Sequence, residues 1–512
     1  FEPYTNTMAS TTRTILGNLL ARSFRWQRFL YGRVHRRHHQ RPLRRLRRYR
    51  APVDRWWSAD ARWAPLGPPP RERNQITPLI DGDATFSAMY QAIRDAKSYV
   101  YVVGWALTPA FTINRAVNPL TDDCTLVSAL AEAATRIPVK ILVWSGSPFL
   151  FPPLRRTVEE TRDELRELAP QIDLRLDNRA LPSHCHHQKA IVVDGQVAFV
   201  GGLDLTTLDG DRWDRPGHPL RYGRGWHDVS LAIRGEAVAD VEENFLQRWG
   251  DVTGERDLPR EEPKLQPEWQ TPCQVIRTVP RFTYTFAREG EFGIAYAYVQ
   301  AISQAKRFIY IENQYLWLPE VVEALTAAME RNGADFRVLL VLPARADMGK
   351  FDNDQQVAAL RKAAGESMQF SAYCLYSGGP APGLYGFGYR PVYVHSKVCI
   401  IDDEWYTVGS ANLNARGLAT DTEMNVQALD PAGARALRLA LWGEHLGMDP
   451  SELDPLEPLE VIDRLWPARA LEVQTIVKRR RGFLPAIVHP YETGFFHGGS
   501  LLQGFQSFME GL

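Results

Sequence analysis

The chain has 512 residues, of which 45% are hydrophobic, enough to bury two domain-sized cores. Its 60 Lys and Arg residues balance 60 Asp and Glu residues, so no global field favours a nucleic acid or a membrane. The five cysteines (124, 185, 273, 374 and 399) form no CxxC pair, which argues against a disulfide framework and for reduced thiols in a cytoplasmic setting.

In chain order, residues 1–75 read as a basic extension and linker. Ile15, Leu16, Leu19, Leu20, Phe24, Trp26, Phe29 and Leu30 alternate with Arg13, Arg22, Arg25 and Arg28 in a roughly helical rhythm. An arginine-rich run from Arg33 to Arg50 follows, broken by Pro42. A basic amphipathic segment with aromatic residues suits the surface of an anionic membrane, so peripheral association through residues 13–50 is expected. No run approaches the roughly 18 apolar residues that a spanning helix requires. Pro52 to Pro70 reads as a linker.

A first half is expected over residues 76–256. Thr85–Lys97 has helical spacing, Tyr99–Trp105 reads as a strand, Leu126–Ala133 as a helix and Val139–Trp144 as a buried strand. Val158–Leu168 is a charged amphipathic helix, and Asp173–Leu176 leads to His187-Gln188-Lys189. The apolar run Ala190–Val193 follows, then a turn at Asp194-Gly195 and a return strand ending near Gly201-Gly202.

Residues 257–450 repeat the plan, with residues 252–280 as the connection between halves. Ala301-Ile302 and Ala305-Lys306 answer Ala92-Ile93 and Ala96-Lys97, and Val338–Leu342 answers Val139–Trp144. Lys97 and Lys306 precede their downstream histidines, His187 and His395, by spans that differ by a single residue. His395-Ser396-Lys397 is followed by Val398–Ile401, Asp402 and Gly409 at the offsets of the first copy. The Gly- and aromatic-rich stretch Ser377–Pro391 is expected to be a mobile loop at a substrate mouth, and residues 451–512 a tail carrying the basic cluster Lys478–Arg481.

The duplicated motif carries chemistry when its copies are paired. Side chains alternate along a strand, so His187 and Lys189 share a face while Asp194 points elsewhere and serves the turn. One imidazole can attack while the other protonates a leaving group, and the lysines suit phosphoryl oxygens. Ser410 and Asn412 offer polar support after the second copy, where the first copy has Gly202 and Asp204. His184, Cys185, His186 and His187 invite a metal reading, but only alternate side chains share a strand face, so a metal-free and cofactor-free site is expected.

These features resemble the HKD signature of the phospholipase D superfamily. Gly409-Ser410-Ala411-Asn412-Leu413-Asn414-Ala415-Arg416 is similar to that family's GSANxNxR stretch. Gly201–Leu205, Trp226-His227-Asp228-Val229 and Ile311–Tyr315 resemble its eukaryotic-type branch. The resemblance implies two α/β sandwich halves about a pseudo-two-fold axis. It also implies a phosphohistidine mechanism, with His187 as nucleophile, His395 as general acid and base, and Lys189 and Lys397 on the phosphate. Glu312, Asn313 and Gln314 resemble the family's polar floor, while Asp194 and Asp402 remain turn residues. Each imidazole needs an acid to orient it, and the nearest acid entering an apolar strand of its own half is Asp228 for His187 and Glu423 for His395.

The expected activity is hydrolysis and alcohol transfer on a glycerophospholipid, with no obligatory nucleic acid. A cardiolipin synthase-like phosphatidyltransferase and a nuclease of the same superfamily are the alternatives.

Overall fold

The computed structural model describes residues 62–493, apart from 66, 116–123, 149–151, 181–183, 209, 211, 222, 348–349 and 381–385. The first half runs β1 (Asn74–Ile80), α1 (Asp81–Asp95), β2 (Val100–Gly104), α2 (Leu126–Ala134), β3 (Val139–Trp144), α3 (Arg155–Leu168) and β4 (Asp173–Asp177). It continues through β5 (Ala190–Val193), β6 (Val197–Gly201), β7 (Trp226–His227), β8 (Val229–Gly235) and α4 (Val238–Thr253). The second half runs β9 (Cys273–Val279), β10 (Glu291–Phe292), α5 (Gly293–Gln304), β11 (Phe308–Asn313), α6 (Pro319–Asn332), β12 (Arg337–Val341) and α7 (Lys350–Ala364). It ends with β13 (Phe370–Pro380), β14 (Phe387–Val394), β15 (Lys397–Ile401), β16 (Trp405–Gly409), β17 (Glu423–Leu429), α8 (Pro431–Leu446), α9 (Trp466–Arg479) and β18 (Val488–Pro490).

The strands form two sheets. One has seven strands in the order β1-β8-β6-β5-β2-β3-β4. The other has eleven, and its central run β9-β17-β16-β15-β11-β12-β13 repeats the first sheet strand for strand. The expected duplication is therefore a duplication of topology. Strands β2, β5, β11 and β15 are buried along their whole lengths, which accounts for their continuous apolar runs. A central core joins residues of both sheets to Phe245 and Trp249 of α4 and to Trp442 of α8. A second core lies between the first sheet and α1, α2 and α3.

The motif aspartates hold the turns. Asp194 accepts the backbone N–H groups of Lys97, Ser98 and Tyr99 at 2.7–3.0 Å, and Asp402 those of Lys306, Arg307 and Phe308 at 2.7–2.8 Å. Both adopt positive φ, which an Asx side chain tolerates. Each thereby ties its hairpin to the strand beside it, which explains the matched spacing between Lys97 or Lys306 and the motif.

Several sequence expectations change. Residues 252–280 are not a plain connection, because β9 lies inside that stretch and pairs with β17 along its length. The preceding linker packs against it: Ala64 N–H donates to Gln274 Oε1 at 2.9 Å, and Arg71 bridges Cys273. The expected tail is mostly body, since β18 pairs with β13 and Trp466 of α9 is fully buried among core aromatic residues. Burying a side chain of that size contributes roughly 2–3 kcal/mol, which a dangling segment would forgo. Ser377–Pro380 and Phe387–Pro391 are paired strands of a hairpin rather than a loop. The five cysteines are buried and unpaired. The amphipathic segment at 13–50 lies outside the described residues. Among the described residues, no helix is long and apolar enough to cross a membrane.

Candidate active site

Each half lends a strand end to the other. Strand β7, from the first half, pairs in parallel with the end of β14, and His395 N–H donates to His227 O at 2.8 Å. Reciprocally, His187 N–H donates to Thr422 O at 2.8 Å, and Thr422 N–H donates to Cys185 O at 3.1 Å. The two His-x-Lys copies are thus stitched into one site by backbone hydrogen bonds that cross between halves.

This crossing decides which acid meets which imidazole. His187 Nδ1 lies 2.9 and 3.1 Å from the carboxylate oxygens of Glu423. His395 Nδ1 lies 2.6 Å from Asp228 Oδ2. The expectation of own-half partners, Asp228 for His187 and Glu423 for His395, is therefore reversed. Asp228 follows β7 and Glu423 opens β17, so each acid sits where its strand crosses to the opposite histidine. In both pairs Nδ1 faces the acid, which leaves Nε2 for a substrate.

The surroundings differ between the halves. Ser410 donates its hydroxyl to Glu423. At the matching place Gly202 leaves room for Asp228, since a Cβ there would sit 2.4 Å from its carboxylate. Lys189 Nζ lies 3.1 Å from Asp204 Oδ2, whose other oxygen accepts the backbone N–H groups of Trp105 and Ala106. Lys397 Nζ donates to Gln314 Oε1 at 3.3 Å and to the carbonyl of His395. Asn412 is buried, with its Oδ1 free of any hydrogen bond, so that acceptor is still available.

Burial and the neighbouring lysines shape the charges. Burial, then Lys189, holds the His187 imidazolium well below its usual range, and burial with Lys397 and Lys189 does the same to His395. Each imidazole therefore feels the lysine of the other half. Burial pushes Asp228 up to about 7 and Lys397 down to about 7. Neutral rings of this kind are nucleophiles at neutral pH.

Of the other expected residues, Glu312 stands one step back. It accepts from His227 Nε2 at 2.9 Å and from His445 Nε2 at 2.8 Å, so it braces the strand that carries Asp228. Asn313 Oδ1 accepts the backbone N–H groups of Tyr315 and Leu413 and shapes the loop after β16. Asp194 and Asp402 serve turns and touch neither imidazole. His186 points away from His187, into a buried set with Asp177, Thr422 and Tyr284.

Sequence reasoning missed three contributors. Trp105 stands edge-on to His187 at 6.1 Å, Trp226 lies 4.4 Å from the His395 ring, and the Arg212 guanidinium stacks on Trp226 at 4.1 Å. Trp226 was legible only as part of a motif. Trp105, at the end of an apolar strand, carried the weak signal of a large aromatic placed where a strand leaves the core.

Comparisons with known proteins fall on the same two halves. A family model described as "Phospholipase D" matches residues 92–225, and one described as "Cardiolipin synthase, PLD-like domain" matches residues 298–440. Phospholipase D A of Dictyostelium discoideum is 27% identical over 469 residues, covering 75% of this chain but 36% of that protein. Phospholipase D alpha 4 of Arabidopsis thaliana is 26% identical, covering 76% of this chain and 69% of that protein. Cardiolipin synthase A of Pseudomonas fluorescens is 26% identical, covering 73% of this chain and 68% of that protein. Among solved structures, phosphatidylserine synthase of Haemophilus influenzae superposes with a TM-score of 0.47 at 14% identity, covering 71% of this chain and 84% of that one. With one matching family model on each His-x-Lys copy and relatives that match about three quarters of its length, the chain belongs to the phospholipase D superfamily.

Proposed function

We propose that the chain is a phospholipase D of the eukaryotic type, cleaving the head group from a glycerophospholipid to leave phosphatidic acid. The observation that carries the reading is the pair of imidazoles, each with Nδ1 on an acid of the other half and a lysine alongside. In this reading His187 Nε2 attacks phosphorus, and the P–O bond to the head-group alcohol breaks as that oxygen takes a proton from His395 Nε2. Asp228, itself raised to about 7, resupplies a proton to His395 Nδ1. His395 then takes a proton from water, whose oxygen displaces His187 and releases phosphatidic acid. Lys189, Lys397 and Asn412 face the phosphoryl oxygens, and Ser410 and Gly202 set the two acids.

The test supplies phosphatidylcholine vesicles with ethanol. Phosphatidylethanol is expected, because a covalent phosphatidyl group can pass to any small alcohol. No product from phosphatidylcholine, with phosphatidylglycerol converted instead to cardiolipin, would replace this reading with a phosphatidyltransferase. That second reading draws on the family model matching residues 298–440.

Two further outcomes follow from the geometry. Gly202→Ala is expected to lower turnover roughly 10–100-fold with the fold retained at a melting temperature lowered by a few degrees, because the added Cβ displaces the buried Asp228 carboxylate; normal turnover would show that Asp228 does not need its place. Lys397, at about 7, loses its charge as pH rises through neutrality. The KM for phosphatidylcholine is therefore expected to climb on the alkaline side of pH 7, and Lys397→Met should flatten that climb. A KM independent of pH from 6 to 9 would remove Lys397 from phosphate binding.

Residues 13–50 are proposed as the membrane-surface contact of a peripheral, cytoplasmic enzyme. Removing residues 1–50 should weaken co-sedimentation with anionic vesicles more than with zwitterionic ones, and equal binding with and without them would exclude that role.

A further inference from the structure

Behind Asp228 lies a buried cluster that the phosphodiester chemistry does not use. Asp81 follows β1, His218 lies in the segment before β7, His227 is in β7, and Glu444 is in α8 of the other half. Their side chains are 0–4% exposed. Each offers one ligating atom, and the four atoms lie within 4.8 Å of one another. His218 Nε2 stands 3.4 Å from Asp81 Oδ2 and 3.1 Å from Glu444 Oε1. His227 Nδ1 stands 3.0 Å from Asp81 Oδ1 and 3.9 Å from Glu444 Oε2. A tetrahedral zinc ion with bonds of about 2.0–2.2 Å has ligand-to-ligand edges of about 3.3–3.6 Å, so four ligand atoms already within 4.8 Å of one another need only small shifts to meet it.

The hydrogen bonding of the cluster is unfinished. Asp81 Oδ2, Glu444 Oε2 and both ring nitrogens of His218 are buried and make no hydrogen bond of acceptable geometry. The oxygens beside His218 Nε2 therefore flank the ring nitrogen rather than receive a proton from it. Orphaned buried carboxylate oxygens are costly and call for a positive partner.

The outer partners are those of metal-binding imidazoles. His227 Nε2 faces Glu312 Oε2 at 2.9 Å, and His218 Nδ1 faces Asp214 Oδ2 at 2.9 Å. In His227 one nitrogen is hydrogen-bonded to a carboxylate outside the cluster and the other points into it, the arrangement that fixes the tautomer of a ligating histidine, whereas His218 Nδ1 only lies beside Asp214. If His227 donates from Nε2, its Nδ1 presents a lone pair toward Asp81, and only a second proton or a cation reconciles those two acceptors. Two imidazolium protons and one divalent ion supply the same charge. The orphan oxygens favour the ion, because Asp81 Oδ2 and Glu444 Oε2 accept no hydrogen bond from either ring.

We propose that Asp81, His218, His227 and Glu444 form a buried site for one divalent ion of the zinc class, structural in role. With four protein ligands it has no open position for substrate. Asp81 Oδ1 also accepts the backbone N–H of Asp228 at 3.1 Å, and Glu444 belongs to the second half. The ion thus ties the two halves together directly behind the acid that holds His395.

The test uses the full chain, purified without a metal-affinity step, stripped with a chelator and given one equivalent of Zn²⁺. About one zinc per chain should survive desalting, with a raised melting temperature, since a ligand of the folded state alone stabilises it. Co²⁺ in its place should give the visible absorption of a four-coordinate site. Glu444→Gln and His218→Asn should each weaken retention at least tenfold, while His187→Ala and His395→Ala keep it. Wild-type chain that retains no zinc and shows no cobalt spectrum overturns the proposal, as does retention that both cluster variants keep or that His187→Ala abolishes. Should a cluster variant fail to fold, the stoichiometry and cobalt spectrum of the wild-type chain decide alone.

Discussion

His187→Ala is expected to lower phosphatidylcholine turnover by on the order of 10⁴–10⁶-fold, whatever the leaving group, because no other group in the site forms the bond to phosphorus. His395→Ala should behave differently. With choline as leaving group the loss should approach the same size, since an alkoxide must be protonated as it departs. With a nitrophenyl phosphodiester the first displacement needs no proton, so that variant should release about one equivalent of nitrophenolate and then stall. It stalls because the base that activates water is missing, and the phosphoryl group should remain on His187 as an acid-labile adduct. Rapid-quench measurement of the burst separates the possibilities. A burst in His187→Ala with none in His395→Ala would exchange the two roles, and near-normal turnover in either variant would end the paired model.

The fold and most of the candidate site were legible because the chain states them twice. The repeated apolar runs, the turn aspartates and the spacing of Lys97 and Lys306 before the motifs all report local structure, and local structure is what spacing encodes. Three features escaped for a common reason. The exchange of Asp228 and Glu423 depends on β7 leaving its own sheet to pair with β14, and the pairing of a two-residue strand leaves no periodic signal. Residues 451–493 carry polar and charged runs that mask a buried Trp466, so they read as a tail. Asp81, His218 and Glu444 stand singly, far apart in the chain, and meet only because α8 and the segment before β7 pack behind the same strand. Hairpins announce themselves in sequence; contacts between halves do not.

The exchange of acids makes the second large effect specific. Glu423→Gln is expected to cost roughly 10³–10⁴-fold in turnover, because an amide can present N–H to His187 Nδ1 and so force the proton onto Nε2, which must attack. Burial pushes the Glu423 carboxyl up, with Lys189 opposing, so a neutral isosteric amide suits the buried position and should fold. The loss should fall on formation of the phosphohistidine. It should therefore persist with a nitrophenyl leaving group and reduce the burst rate, although Glu423 lies in the same half as His395. Asp228→Asn should mirror it: turnover of phosphatidylcholine falls, but the nitrophenolate burst survives. Double variants sharpen the point. Adding Glu423→Gln to His187→Ala should cost little more, since both remove one functional unit, whereas adding it to His395→Ala should cost nearly its full amount. Own-half pairing would predict the opposite couplings. The two acids are thus where the chain's duplication becomes a single site: neither histidine is oriented by its own repeat, so under the proposed mechanism neither half is complete alone.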